Sequence, residues 1–348
     1  MLFDDLLAAL TLEPFKSSRF VREFGSMFNS MPRFNLAEDA MMAVTHLSLQ
    51  DPLALYKLLT FARMPYKAMW VEFADKPRKR VMAEMNVHIE PANQPAKIGY
   101  LLISDGGAPL KGTAIVVWRH IEVQFAHPST SAMSWDFESD ISLGTKRDND
   151  ETLASLRKRI SANPHSTGYR WRNNPEQLDA YIKLMRIFYT WHCPLYTEVY
   201  EKLEREDRLN GTNKVGQLEE AGEHDSYPEL FTILATLIMF NARNAFTQTP
   251  VELGKLNIAM AKKHKKKKKP PKLPLMDYVH VTMRFSAARE RVYARQGITE
   301  SARSLHACRG HFKRRRRSNG SYDLIWWNEH MRGDAAYGIV KRNATVKA

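Results

Sequence analysis

Cysteine is nearly absent from this chain: Cys193 and Cys308 are the only two in 348 residues, far apart and in unlike surroundings. A disulfide framework is therefore excluded, and a reducing compartment, the cytoplasm, is the expected location. Long apolar runs are missing too. The longest, Leu230 to Phe240, spans eleven residues, against the roughly twenty that cross a bilayer, so no membrane partner is expected. No basic stretch followed by an apolar core opens the chain, since Met1-Leu2-Phe3 leads straight into Asp4 and Asp5, and no secretory signal is expected. Gly106-Gly107 is followed by neither Lys-Ser nor Lys-Thr, which makes it a turn and not a phosphate-binding loop. No nucleotide motif or triad spacing occurs elsewhere, and no cofactor is expected.

What the chain has in excess is positive charge, and it is placed unevenly. The formal net charge is +14, from 52 Lys and Arg against 38 Asp and Glu. From Val251 to Ala348 there are 24 basic and 7 acidic residues, while the first 250 residues carry 28 and 31. The whole excess thus belongs to the last third, which implies a polyanionic partner there, nucleic acid above all. Residues 1–250 are expected to form one body and 251–348 a basic region, with a Lys-rich linker at 262–272.

Periodicity predicts an α+β body in which an antiparallel sheet packs with helices. Leu36, Met41, Val44, Leu47, Leu55, Leu58 and Leu59 recur at helical spacing, and Asp51-Pro52 breaks the pattern into two short helices. Ahead of them Phe15 to Pro32 is mixed, and residues 1–35 are expected to be a loosely attached arm. Strands are expected at 68–73, 81–89, 98–103 and 113–125, separated by turn signals at Lys76-Pro77, Glu90-Pro91 and Gly106 to Pro109. An apolar helix is expected from Asn174-Pro175 to about Tyr200, an exposed connection from Glu201 to His224, and a second apolar helix from Glu229 to about Phe246. On this division a fragment ending near Phe246 is a closed, soluble body.

In the basic region Leu275 to Phe285 alternates as a strand does, and Leu305 to Trp327 reads as a β-hairpin with a basic tip turning at Ser318 to Ser321. The candidate nucleic-acid contacts are Lys262, Lys263, Lys265, Lys266, Lys267, Lys268 and Lys269, and, around the hairpin, Arg309, Phe312, Lys313, Arg314, Arg315, Arg316, Arg317, Trp326, Trp327 and Arg332. Guanidinium groups pair with phosphates, and aromatic faces stack on unpaired bases, which is how single strands are held. RNA is accordingly the expected polymer ahead of DNA. Adjacent Trp326 and Trp327 point to opposite faces of a strand, so one should stack and the other should pack. His306, His311 and His330, with Arg309 and Arg332 nearby in sequence, could instead run acid–base cleavage of RNA. No metal is expected: His306-x-Cys308-x-x-His311 is not a usual zinc spacing, and only one cysteine is present there.

Several of these residues also carry a family likeness. His306-Ala307-Cys308-Arg309-Gly310-His311-Phe312, then Ile325-Trp326-Trp327, Met331-Arg332-Gly333 and Gly338-Ile339-Val340, resemble the C-terminal signature of a phage and mobile-element protein family whose characterised representative is a type V-A anti-CRISPR protein. Asn241-Ala242-Arg243-Asn244, Pro250-Val251 with Leu256-Asn257, and Leu273-Pro274-Leu275 with Tyr278 extend the likeness upstream. Met64-Pro65-Tyr66 with Met69-Trp70-Val71-Glu72 adds a weaker match in the first half. The resemblance implies action on translation in the host cytoplasm, in which a nascent peptide or host protein is read, RNA or the ribosome is contacted, and the transcript of a CRISPR nuclease is lost.

Overall fold

The computed structural model describes residues 2–12, 15–84, 95–105, 110–120, 126–137, 153–163, 167–218, 229–266, 275–284, 304–308, 311–327, 330–332 and 334–339; for 304–308, 311, 330–332 and 334–339 only backbone is described. The architecture is α+β. In chain order the elements are α1 (Leu2–Leu10), α2 (Arg19–Ser30), β1 (Arg33–Leu36), α3 (Glu38–Gln50), α4 (Pro52–Lys57), β2 (Ala68–Ala74), α5 (Lys76–Glu84), β3 (Lys97–Ser104), β4 (Lys111–Arg119), β5 (His127–Asp136), α6 (Leu153–Ala162), α7 (Pro175–Ile187), β6 (Phe188–His192), α8 (Thr197–Asn210), α9 (Leu230–Asn241), β7 (Phe246–Val251), α10 (Gly254–Lys266) and β8 (Tyr278–Met283). Five short strands follow: β9 (Ser304–Cys308), β10 (His311–Arg316), β11 (Tyr322–Trp327), β12 (His330–Arg332) and β13 (Asp334–Ile339).

The chain does not divide at residue 250. One compact unit is Met1–Ile238 with Gln248–Thr282, and the other is Met239–Thr247 with Met283–Ala348. The first is built on an eight-stranded sheet of order β6-β5-β4-β3-β2-β1-β8-β7. Strands β2 to β6 form an antiparallel meander, in which β2, β3 and β4 fall on expected strands and β5 and β6 do not, and the sheet is mixed, because β1 runs parallel to both β2 and β8. The cause is local: α3 and α4 fill the connection from β1 to β2, and a helical crossover returns the chain in the same direction. Strand β8 pairs Phe34 with Val279 and Leu36 with Val281, so the strand expected in the basic region is part of the first unit's sheet, and a body ending at Phe246 would lose it.

The N-terminal residues are not a loose arm. Leu2, Phe3, Leu6 and Leu10 are buried in one cluster with Trp70, Leu101, Ile115 and Val117. The first turn of α1 is held by Glu72, a buried residue of β2 whose carboxylate accepts the N–H groups of Leu2 (3.2 Å) and Phe3 (3.0 Å) and the indole N–H of Trp70 (3.0 Å). Free N–H groups at a helix start need acceptors, and a carboxylate there also meets the positive end of the helix dipole. Trp70 in turn fits only because Gly99 faces it on β3: a Cβ at that position would sit 2.2 Å from the indole.

Three other expectations change. Residues 81–84 belong to helix α5, not to a strand; Lys76-Pro77, read as a turn, opens that helix, where a proline in the first turn costs no hydrogen bond. The helix expected up to Tyr200 stops at Ile187, and Phe188-Tyr189-Thr190-Trp191-His192 joins the sheet beside β5, as an aromatic and β-branched run will when an edge is open. The expected connection at 201–224 begins as helix α8, closed by Gly211 at φ +64. The signals at Asp51-Pro52 and Asn174-Pro175 act as read: Asp51 caps α4 through the Ala54 N–H (2.8 Å), and Asn174 caps α7. Buried at one side of this unit, Arg78 pairs with Asp75 (2.7 Å) and Glu229 (2.6 Å), and Tyr100 donates to Glu229 (2.5 Å). Burial alone would lower the Arg78 pKa, but the two carboxylates raise it; burial and then Glu229 push the Tyr100 hydroxyl well above its ordinary value.

Candidate nucleic-acid interface

In the second unit β10 and β11 form the hairpin read from the sequence, with His311 opposite Trp327, Phe312 opposite Trp326, Lys313 opposite Ile325, Arg314 opposite Leu324, Arg315 opposite Asp323 and Arg316 opposite Tyr322. The turn closes with Gly320 at φ +83, a left-handed conformation that favours glycine, and with Asn319 Oδ1 accepting the Ser321 N–H (3.1 Å). Opposite residues share a face and neighbours alternate. One face therefore carries Phe312, Arg314 and Arg316 with Tyr322, Leu324 and Trp326; the other carries Lys313 and Arg315 with Asp323, Ile325 and Trp327.

The two indoles part company as the alternation requires. Trp327 is 50% exposed, with the Lys313 ammonium 4.1 Å from its ring centroid. Trp326 is half-buried, its ring edge-on to Phe312 at 4.8 Å, on the face where Leu324 is 2% exposed. Lys313 and Arg314 to Arg316 are all exposed, as is Tyr322. This is a cationic ribbon with an aromatic platform on it, the combination that grips phosphates and stacks on bases.

Two residues outside the sequence reading of the site shape it. Asp323 accepts from the Arg317 guanidinium through both Nε and Nη2 and pairs with Arg243 at 3.2 Å, and the Arg317 hydrogen bonds hold its carboxyl below the ordinary carboxylate range. Arg317 is thus tied into the tip. Arg243 also lines the outer edge of β11: its N–H donates to Leu324 (2.9 Å) and its carbonyl accepts from Trp326 (3.0 Å). The signal for Asp323 was present as the lone acid in a basic hairpin, opposite Arg315.

The lysine run lies elsewhere, in the first unit. Instead of a linker from 262, helix α10 continues to Lys266. Asn257 ties the helix down by donating to the Leu275 carbonyl and accepting its N–H, both at 2.8 Å. Lys255 and Lys262 sit on the opposite face, exposed, and helical periodicity puts Lys266 on the same row; Lys263 is exposed beside them. Of Lys265 and Lys266 only the backbone is described, and Lys267, Lys268, Lys269 and Arg309 lie outside the described residues, as does the Gly106 to Pro109 turn.

The histidines do not form one group along the backbone. His311 begins β10 in the hairpin, whereas His306 on β9 and His330 and Arg332 on β12 belong to a separate ladder. Among residues with described side chains, no set of three His, Cys, Asp or Glu forms a metal-sized cluster. Among the described residues no helix is long and apolar enough to cross a membrane. Comparison of the chain with protein-family models, with curated proteins and with solved structures returns no match.

Proposed function

We propose that this protein binds single-stranded RNA through the β10–β11 hairpin and acts as a regulator, encoded by a phage or mobile element, that lowers expression of a host target. One observation carries the RNA reading: Lys313, Arg314, Arg315 and Arg316 are exposed on a two-stranded ribbon that also exposes Trp327 and Tyr322. Cations without an aromatic platform would suit any polyanion; the platform favours unpaired bases. The lysines of α10 add a second cationic surface for phosphate or ribosomal RNA. Recognition of a host protein or nascent peptide falls to the α+β body. That part, like the phage setting, rests on the resemblance of the 306–312, 325–327 and 331–333 segments to the anti-CRISPR family.

The test is the salt dependence of binding to a short unstructured RNA, read by fluorescence anisotropy. Replacing Arg314, Arg315 and Arg316 together with Ala should lower the slope of log K against log salt by about 2, at roughly 0.7 per lost single-strand phosphate contact. Equal loss on duplex and single-stranded RNA would support a non-specific polyanion binder instead. An unchanged slope and affinity would remove the hairpin from any nucleic-acid role.

A further inference from the structure

The exposed aromatic residues of the hairpin lie on both of its faces. Tyr322 is 54% exposed and Trp327 50%, and they stand at the two ends of β11, an odd spacing that puts them on opposite faces. At about 3.4 Å per residue they are separated by roughly 17 Å along the strand. The cations divide in the same way. The exposed Lys and Arg of the two strands, Lys313 to Arg316, all come from β10 and none from β11. Arg314 and Arg316 share the face of Tyr322, and Lys313 and Arg315 share that of Trp327. Asp323 lies on the second face alone, opposite Arg315, so the Tyr322 face is the more cationic. The Lys313 ammonium, 4.1 Å from the Trp327 ring centroid, sets a charge beside that platform as well.

The two edges of the ribbon differ too. Along β11 the edge is occupied, because the Arg243 N–H donates to the Leu324 carbonyl (2.9 Å) and the Arg243 carbonyl accepts the Trp326 N–H (3.0 Å). Along β10 no strand among the described residues pairs with the outer edge, and an edge strand presents backbone N–H groups outward. We propose, resting on the single-strand RNA reading above, that one RNA strand wraps the β10 edge of the hairpin, with one base stacked on Tyr322, another on Trp327, and the phosphates between them held by Lys313 to Arg316. Stacked nucleotides advance about 3.4 Å each, so bridging the two rings takes on the order of six nucleotides when stacked and fewer when extended. The substrate is thus an unpaired stretch of several nucleotides. A single unpaired base reaches one platform only, and a duplex keeps its bases stacked on one another and offers them to neither face.

The test compares the affinity of the full-length chain for octauridylate, diuridylate and a short RNA duplex, in the wild type, Tyr322→Ala and Tyr322→Phe. Tyr322→Ala should weaken octauridylate by roughly 5- to 150-fold, the worth of one stacked base, and diuridylate, which reaches one platform at a time, by no more than about twofold. Tyr322→Phe keeps the ring and should restore octauridylate binding. Retained diuridylate binding also reports that the Tyr322→Ala hairpin is folded. Octauridylate affinity unchanged by Tyr322→Ala overturns the wrapping and leaves Trp327 as the sole platform. Equal losses on both lengths overturn it as well, because they put all contact at one ring, and so does a duplex that binds as tightly as octauridylate. Octaglutamate that displaces octauridylate with the same dependence on Tyr322 would overturn it in favour of an acidic peptide added as a strand to β10. Failure of every oligonucleotide to bind the wild type would instead sink the RNA reading itself, and the wrapping with it.

Discussion

Trp326 and Trp327 are adjacent in sequence, yet their substitutions should fail in different assays. Trp327 is half exposed and rests under the Lys313 ammonium, so Trp327→Ala removes little packing. What it removes is the stacking surface, worth roughly 1–3 kcal/mol per base, or about 5- to 150-fold in Kd for single-stranded RNA. Trp326 contacts Phe312 edge-on beside the buried Leu324. Truncating a fully buried aromatic costs about 3–5 kcal/mol; because Trp326 is only half-buried, Trp326→Ala should cost about 2–3 kcal/mol of hairpin stability. Its indole N–H is buried and finds no hydrogen-bond partner among the described residues. Trp326→Phe, which keeps a ring and deletes that donor, should therefore be near neutral. Anisotropy with a short RNA reads the affinities, and urea unfolding followed by fluorescence reads the stabilities. If both Ala variants lose stability and affinity together, or Trp327→Ala binds as wild type, the assignment of one indole to stacking and the other to packing is wrong.

Other consequences follow from the same geometry. A fragment ending at Phe246 lacks β8 and exposes the edge of β1 along Phe34 to Leu36, and it should elute as aggregate in size-exclusion chromatography; a monodisperse fragment would refute the sheet order. Arg78→Met leaves Asp75 and Glu229 buried without their shared cation and should cost about 3–5 kcal/mol in urea unfolding, and a cost under about 1 kcal/mol would show that the network is open to water. Asp323 has its pKa lowered by Arg317, so its contribution to hairpin stability is full above its ordinary value of 3.8 and is lost as the pH falls through the lower folded value. An NMR pH titration should show the Arg317 side-chain N–H signals of the wild type surviving to below pH 3.8, and Asp323→Asn should be less stable at neutral pH and flat through that range.

Which elements were legible depended on how much of the signal was local. Asp51 before Pro52 is a complete helix start within two residues, and the hairpin announced itself through a basic run and an aromatic run on the two sides of a Ser-Asn-Gly-Ser turn. Strand β5 did not, because Ser129, Ser131 and Ser134 stand buried where a strand ordinarily shows branched apolar residues. In β6 the aromatic residues continue the apolar pattern of α7, and only pairing with Ser131 to Trp135 of β5 makes them a strand. Helix α1 looked like part of an arm because its anchor, Glu72, lies about seventy residues away. In the site, the arginines and tryptophans were legible by type, but the tie between Asp323 and Arg317 and the placing of His330 opposite Cys308 are facts of register, which no local window contains.

Charge and domain membership turn out to be separate properties of this chain. The net charge changes near residue 250, and there the Lys and Arg side chains that are described are exposed, yet the fold is decided by positions that are not exposed. Val281 is fully buried against the first unit's sheet, although it follows the lysine run. Leu253 and Asn257, at the root of α10, are held by Asp277 and Leu275 through backbone-directed hydrogen bonds that have no dependence on the cationic face behind them. Among its described residues the basic third therefore carries two cationic surfaces on two units, one helical and one a β-ribbon. A lysine row on a helix offers point charges without a plane, which suits phosphate in any context; the ribbon adds guanidinium forks and an indole, which suits a strand whose bases are unpaired. On the proposed RNA reading, a preference for unpaired bases would reside in the hairpin, and α10 would raise affinity without changing it.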